Sequence, residues 1–227
     1  AIRDAGEAIF IKLPPPVASA PQRTTSFGGG GFLSTTSSAS AKPAAAPKPV
    51  KMTTYYNCGG GCVSGDSVVA LAGGMTKLAA QVAKGDVLSN GAIVKCRVAI
   101  RAADGLEMIR VKGGLWISPY HPIRRDGGSW EFPTDSPAKL EAKNRTDLDF
   151  IYSFVLDQHH FLSINSVDVA ALGHGLTDND VIRHSFFGTA AIIDALSTLT
   201  GYEHGHVVVN EFVRDPSTRL VNGLRGQ

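Results

Sequence analysis

The sequence predicts a mainly β domain that is preceded by a flexible linker. Three observations support this fold class: a globular composition, a stretch rich in Pro, Gly, Ser and Ala at 13–50, and a later series of short β-branched segments separated by turn residues. The chain has 227 residues, of which 43% are hydrophobic and 19% are charged. Such a chain can build one globular core of roughly 100 to 200 residues.

Residues 1–54 are predicted to form the linker. The stretch 13–50 has no apolar periodicity, so it cannot bury enough apolar surface to offset the entropy of ordering. Within residues 1–12, the short run "EAIFIK" is interpreted as the last strand or helical turn of an upstream domain. Because the first residue is Ala1 and not Met, we expect a fragment or a processed chain.

Residues 55–227 are predicted to form the folded domain, built from short strands. Turns are indicated by Asn-Gly at 90–91, Asp-Gly at 104–105 and Asp-Gly-Gly at 126–128, the last within a hairpin-like segment. The predicted strands are 67–74, a short strand at the start of 75–91 with a further extended run at 86–88, 92–100, 106–111, 114–123, 150–157 and the two halves of 160–172.

A short C-terminal helix is predicted at 189–201. Its apolar residues recur at helical spacing, and Gly201 is expected to end it. The residues on the apolar face are Ile192, Ile193, Leu196 and Leu199. We expect this face to pack against the β core, since such a stripe is typical of a buried helix face.

Charge and hydropathy exclude several classes of partner. The net charge is only +2, and basic and acidic residues are interspersed along the sequence. This pattern predicts no basic surface for nucleic acid. No apolar run approaches the roughly 18 residues of a membrane span. The three cysteines are an odd number and do not make a disulfide framework, so a reducing compartment, and hence the cytoplasm, is favoured.

The stretch "NCGGGC" suggests reactive chemistry at Cys62. A cysteine thiolate can attack the preceding carbonyl carbon, here that of Gly61, and convert the amide to a thioester. Glycine suits the upstream position because it leaves the carbonyl open and tolerates strained dihedral angles. The alternatives are a loop disulfide between Cys58 and Cys62, half of a metal site, or simple burial.

The motif "WISPYHPI" could supply the groups that such a reaction needs. Ser118 and His121 are three residues apart at the end of a predicted strand, so both can reach one point. The imidazole would act as acid and base near neutral pH, and the hydroxyl would donate a hydrogen bond to the bond under attack. Taken alone, His121 is better explained as an ordinary turn histidine before a proline.

Several blocks, in order, resemble the Hint (hedgehog/intein) superfamily. "GCVSGDSVVALAGGMTKLAAQVAKGDVLS" is similar to the opening of the Hint module, "WISPYHPI" to its internal Thr/Ser-x-x-His block, and "FIYSFVLDQHHFLSINSV" to its late block. The later segments "EFPTDSP", "FFGT" and "LTGYEHGHVVV" resemble the Vint family, the variant found beside von Willebrand type A domains. The resemblance runs from about residue 56 to about residue 224.

This resemblance implies a horseshoe-shaped, all-β, self-processing domain that needs no cofactor. By analogy, Cys62 is the nucleophile, Gly61 donates the acyl group, and Ser118 and His121 activate the amide between them. The substrate would be the chain's own upstream polypeptide. Full splicing is not expected, because no His-Asn followed by Cys, Ser or Thr closes the domain, and Asn165 lies where the family has a turn.

Cys96 falls on the strand where the hedgehog branch carries an acidic residue that activates a sterol hydroxyl. A cysteine there argues against sterol transfer. Cys96 could accept the acyl group, form a redox-sensitive pair with Cys62, or be a buried strand residue. Cys58 is interpreted as a flexible or oxidation-prone thiol of the linker.

The remaining histidines have weaker signals. His159 and His160 could assist the breakdown of a tetrahedral intermediate, although a surface turn explains the pair equally well. A metal site is not expected, because His174, His184, His204 and His206 show no zinc-like spacing with one another or with the cysteines. Two other functions remain open: a Hint-fold binding or structural module without activity, and a cysteine hydrolase that acts on other proteins.

Overall fold

The computed structural model describes residues 61–226, and this part of the chain is mainly β, as predicted. The predicted linker, the run "EAIFIK" and Cys58 lie outside the described residues. No helix among residues 61–226 has both the length and the apolar character to cross a membrane.

Thirteen strands and one α-helix, α1 (Ala190–Ser197), make up the described fold, together with three short 3-10 turns. The strands, in chain order, are β1 (Val63–Ser64), β2 (Val68–Ala70), β3 (Thr76–Leu78), β4 (Val94–Arg101), β5 (Leu106–Val111), β6 (Trp116–Ile117), β7 (Ile123–Arg124), β8 (Lys139–Arg145), β9 (Phe150–Leu156), β10 (Phe161–Ile164), β11 (Val167–Ala170), β12 (His206–Arg214) and β13 (Val221–Gly226). The 3-10 turns are Ala72–Gly74, Ala79–Gln81 and Tyr202–His204.

The strands form two sheets. The larger sheet has eight strands in the order β13-β12-β4-β9-β1-β6-β5-β8, and the smaller has five in the order β3-β2-β10-β11-β7. The very short β1 lies inside the larger sheet, between β9 and β6. The chain that enters β1 is therefore held from both sides by antiparallel neighbours.

Two hydrophobic clusters cover opposite faces of the larger sheet. The first joins β4 and β9 to the smaller sheet, through residues such as Val94, Phe154 and Leu162. The second contains Cys62 and Cys96 and extends to α1 and β12. Alternation along the strands explains the division, because successive side chains point to opposite faces.

The helix is confirmed in position but is shorter than predicted. The Thr189 side chain accepts a hydrogen bond from the Ala191 N–H and caps its start. Ile192 and Leu196 are buried in the second cluster, as the apolar stripe predicted. Gly201 does adopt a left-handed conformation, but it precedes the 3-10 turn at Tyr202–His204 instead of ending the helix.

Four strands were not predicted from the sequence: β1, β8, β12 and β13. Strand β8 lies at the edge of the larger sheet, pairs only with β5, and exposes nearly every side chain. Such a strand has no apolar alternation to reveal it. Strand β12 pairs with β4 in parallel, and a parallel neighbour requires a long crossover that a local pattern does not show.

Candidate active site

The Gly61–Cys62 junction lies where the chain enters the centre of the larger sheet. Cys62 is fully buried and directly precedes β1. Val63 is paired with Ile117 of β6 on one side and with Tyr152 of β9 on the other. These two pairings fix the position of the Cys62 backbone, and therefore of the peptide bond that precedes it.

Ser118 is held against this peptide bond by the same strand pairing. Its backbone N–H donates to the Cys62 carbonyl oxygen at 2.9 Å, and its Oγ accepts a hydrogen bond from the Cys62 N–H at 3.1 Å. The sequence predicted a hydroxyl that donates to the bond under attack. In the structure it accepts, because an amide N–H can only donate.

His121 lies against Gly61. A Cβ atom built on Gly61 would be 2.4 Å from both Cγ and Cδ2 of the imidazole, so only glycine leaves room for the ring. The requirement for glycine at this position is steric. The ring is in contact with the residue whose carbonyl would be attacked.

The hydrogen bonds of His121 assign its proton. Nε2 lies 2.8 Å from the Ala170 carbonyl oxygen, which can only accept, so Nε2 carries the hydrogen and donates it. In the neutral ring Nδ1 then has the lone pair. This buried Nδ1 makes no hydrogen bond of good geometry within residues 61–226. The ring thus presents a base that is not occupied by the rest of the described fold.

The environment keeps His121 neutral at pH 7. Burial lowers the pKa of its imidazole to about 4, and the favourable contacts of the ring with the backbone of Ala170 and Cys62 only partly offset this effect. A neutral imidazole can accept a proton at Nδ1. The imidazolium that results is a stronger acid than usual, so it readily gives the proton to a weakly basic nitrogen.

Gly61 borders two pockets of different character. One holds ≈ 360 Å³ of empty space, open solvent included, and its lining includes Tyr120, His121, Pro122, Ala170, Ala171, Leu172, His174, His184 and Phe187. The other holds ≈ 230 Å³ and is apolar; its lining includes Val98, Ile100, Leu172, Phe187, Ile192, Leu196, Val209, Phe212 and Leu224. Gly61 therefore has a histidine-rich side and an apolar side.

His174 and His184 are site residues that the sequence analysis considered only as metal ligands. His184 Nδ1 accepts hydrogen bonds from the Phe186 and Phe187 N–H groups, and His174 Nδ1 accepts one from the Leu176 N–H. Burial lowers the pKa of each imidazole to about 4. Their sequence separation from His121 gives no pattern by which this pocket could have been found.

No group of three or more His, Cys, Asp or Glu side chains suited to a metal ion lies within residues 61–226. His159 is exposed in the turn between β9 and β10 and has a positive φ of 63°. His160 Nδ1 donates to the His174 carbonyl oxygen and thus ties that turn to the pocket wall. Neither side chain is among those that line the two pockets beside Gly61.

Cys96 is a free, fully buried thiol in the middle of β4. Burial raises its pKa to about 11, so the thiol stays protonated at neutral pH. Of the three interpretations of Cys96, a buried strand residue fits these properties best. An acyl acceptor would need a reachable thiolate, because the thiolate is the nucleophilic form of a cysteine.

Asn165 has a structural role in the turn between β10 and β11. Asn165 and Ser166 both have positive φ values, of 50° and 62°. The Asn165 side chain accepts a hydrogen bond from the Val68 N–H and donates one to the Gly113 carbonyl oxygen. It is therefore engaged with the backbone on two other segments.

Comparison with known proteins gave one family and several solved structures. A family model described as Vint, Hint-domain, matches residues 61–223. Similar solved structures include a DnaB intein from Synechocystis sp. PCC 6803, with 13% identity, a TM-score of 0.31, and coverage of 49% of this chain and 99% of that chain. The gp41-1 intein matches with 14% identity, a TM-score of 0.35, and coverage of 49% and 98%. Comparison with curated proteins gave no match.

Proposed function

Because the chain belongs to the Vint family of Hint domains, we propose that it cleaves its own backbone at the Gly61–Cys62 bond through a thioester. The observation that carries this proposal is the contact of two groups with one peptide bond. Ser118 Oγ accepts from the Cys62 N–H, and the His121 ring packs against Gly61. The upstream polypeptide is then the substrate.

The first step transfers the acyl group from nitrogen to sulfur. A bond forms between Cys62 Sγ and the Gly61 carbonyl carbon, and the bond from that carbon to the Cys62 nitrogen breaks. The thiol proton passes to Nδ1 of His121 and then to the leaving nitrogen. The products are a thioester and a free amino group on Cys62, with no change in oxidation state.

Ser118 would orient the amide during this transfer. Its Oγ holds the Cys62 N–H in the plane of the strand pairing before the reaction. As the nitrogen gains a proton and becomes an amine, the same oxygen can still accept a hydrogen bond from it. This contact would stabilise the leaving nitrogen.

The second step would release the upstream chain. Water, or a small nucleophile, adds to the thioester carbonyl carbon, and the carbon–sulfur bond breaks to return the Cys62 thiol. With water, the upstream fragment ends in a Gly61 carboxylate. The nucleophile would reach the carbonyl through the histidine-lined pocket beside Gly61.

The test is intact mass and gel analysis of the purified chain, with and without an added thiol or hydroxylamine. We expect a fragment that begins at Cys62, and we expect Cys62→Ala to abolish it because the nucleophile is lost. Cys96→Ala is the matched control, since this cysteine is also fully buried in the same cluster. Its cleavage should stay close to that of the parent chain.

A parent chain that remains whole with both nucleophiles would contradict the proposal and would favour a Hint-fold module without activity. Cleavage in Cys62→Ala would equally exclude the thioester route. Loss of cleavage in Cys96→Ala alone would instead identify Cys96 as an acyl acceptor.

A further inference from the structure

A row of side chains crosses the larger sheet at Cys62. On one side Val63 pairs with Ile117, and on the other it pairs with Tyr152. Continuing both antiparallel registers by one residue places Ser118 and Ser153 on either side of Cys62. Residues that are directly opposite in such a ladder project from the same face of the sheet.

The next strands of the sheet identify that face. Ser153 pairs with Val98 of β4, and Val98 pairs with Val207 of β12. Cys62, Val98 and Val207 all belong to the second hydrophobic cluster. Ser153 lies between members of this cluster in the row, so its side chain faces the same interior as the Cys62 thiol.

The Ser153 hydroxyl is unusual for this position. Its residue is only 1% exposed, and Oγ has no hydrogen-bond partner among residues 61–226. Its neighbours on the same face of β9 are Ile151 and Val155, which belong to the apolar cluster. A buried hydroxyl without a partner destabilises the folded state, so its presence calls for an explanation outside packing.

Ser118 and Ser153 flank Cys62, and their hydroxyl groups differ in hydrogen bonding. Ser118 Oγ already accepts from the Cys62 N–H in the described structure. The Ser153 hydroxyl hydrogen is available for donation, because Oγ has no partner among residues 61–226. The neighbouring side chain in the row is the Cys62 thiol. A hydroxyl that is already buried beside a group where charge develops does not have to be reorganised during the reaction.

We propose that Ser153 is a catalytic residue whose hydroxyl donates a hydrogen bond to Cys62 Sγ as that thiol loses its proton. The role in cleavage rests on the proposed function, whereas the effect on the thiol can be measured without any cleavage. The Ser153 O–H bond stays intact throughout. The thiol proton goes to Nδ1 of His121, and the hydroxyl stabilises the thiolate until the bond to the Gly61 carbonyl carbon forms.

The test compares Ser153→Ala with the parent in a chain where Cys58→Ser and Cys96→Ala leave Cys62 as the single cysteine. The ultraviolet absorbance of the thiolate, followed against pH on the uncleaved chain, gives the pKa of Cys62. We expect Ser153→Ala to raise it by about one to two units, the effect of losing one hydrogen bond to a charged group. Thiol-induced cleavage should slow by about ten- to a hundredfold.

Stability provides the readout that separates catalysis from structure. Ser153→Ala removes an unpaired buried hydroxyl, so its resistance to urea should equal or exceed that of the parent. Ser64→Ala is the matched control, because Ser64 is also buried and its Oγ is 3.0 Å from Ser67 Oγ. This control should lower stability and leave the Cys62 titration unchanged. Ser153→Thr keeps a hydroxyl and should leave the pKa of Cys62 close to that of the parent.

An unchanged Cys62 pKa in Ser153→Ala would overturn the proposal, whatever happens to cleavage. A loss of stability with unchanged titration would show that the hydroxyl is structural, and would overturn it too. If the parent chain does not cleave, the proposed function fails by itself, and the titration still decides whether Ser153 acts on the thiol.

Discussion

Two consecutive segments of the domain meet at Gly61, and they contribute to the site in different ways. Residues 61–171 supply the Gly61–Cys62 bond, Ser118 and His121, and they position these groups through the pairing of β1 with β6 and β9. Residues 172–226 supply most of the apolar pocket and two histidines of the other pocket. They do so through α1, a loop, β12 and β13.

The difference teaches which part of the site is set by backbone hydrogen bonds and which by packing. A strand ladder fixes a neighbour's register, so Ser118 cannot move relative to the Cys62 amide without breaking the ladder. The later segment instead encloses Gly61 with side chains such as Leu172 and Phe187, which line both pockets. We therefore expect changes in 61–171 to affect the reaction, and changes in 172–226 to affect stability first.

The largest expected effect is the loss of stability in acid. Burial lowers the pKa of His121, His174 and His184 to about 4, whereas an unfolded histidine has a pKa of about 6.5. The unfolded chain therefore binds more protons as the pH falls below 6.5. Stability from these groups is complete above about pH 6.5 and is lost progressively down to about pH 4, at about 1.4 kcal/mol per pKa unit for each histidine.

Urea denaturation of Cys62→Ala at a series of pH values measures this loss without interference from cleavage. Replacing His174 and His184 together by Asn should remove most of the pH dependence between 6.5 and 4, because only His121 of the three then remains. If the free energy of unfolding of Cys62→Ala stays constant between pH 6.5 and 4, the low pKa values of these three histidines would be contradicted. Such a result would mean that the second segment does not keep its histidines neutral.

The next largest effect is a loss of stability from changes in the apolar pocket beside Gly61. Leu196 is fully buried in α1 and lines the apolar pocket, so Leu196→Ala should cost about 2–5 kcal/mol of unfolding free energy. Leu199 is only partly buried, and Leu199→Ala should cost clearly less. Both are measured by urea denaturation in the Cys62→Ala background.

The same two variants, with Cys62 restored, show whether enclosure and reaction are separable. At a temperature where both remain folded, their cleavage rates should stay near that of the parent chain. A large loss of cleavage in Leu196→Ala without a loss of stability would break the distinction between the two segments, since it would place the later segment in the reaction itself.

The sequence carried enough information to predict the mainly β class, the helix position and the membership of the family. Turn residues and β-branched runs showed β5 and β9, and helical spacing showed Ile192 and Leu196 as buried. These signals are local, so they survive in a single sequence. The proximity of Ser118 and His121 to Gly61 followed from resemblance to a known family, not from spacing.

The parts that could not be predicted depend on distant contacts. His184 lies 63 positions after His121, and only the fold brings both to one pocket. Ser153 reads as an ordinary strand residue until the register of three strands shows that it is opposite Cys62. The polar edge strand β8 has no apolar pattern, because nearly all of its side chains are exposed.

The smallest expected effect on stability, but a clear one on the reaction, comes from Gly61→Ala. The added Cβ would lie 2.4 Å from two atoms of the His121 ring, so the ring must move away from the bond and lose its hydrogen bond to the Ala170 carbonyl oxygen. A misplacement of about 1 Å can cost about a hundredfold in rate. Thiol-induced cleavage, followed by gel and mass, measures this loss.

Gly223→Ala is the matched control, because its Cβ would be 3.3 Å from Val213 Cβ and Gly223 lines neither pocket beside Gly61. It should cleave at the parent rate. Equal rates for Gly61→Ala and the parent would show that the ring does not act at the scissile bond, because catalysis by Nδ1 cannot survive a displaced imidazole. The contribution of 61–171 would then have to come from Ser118 and the sheet register alone.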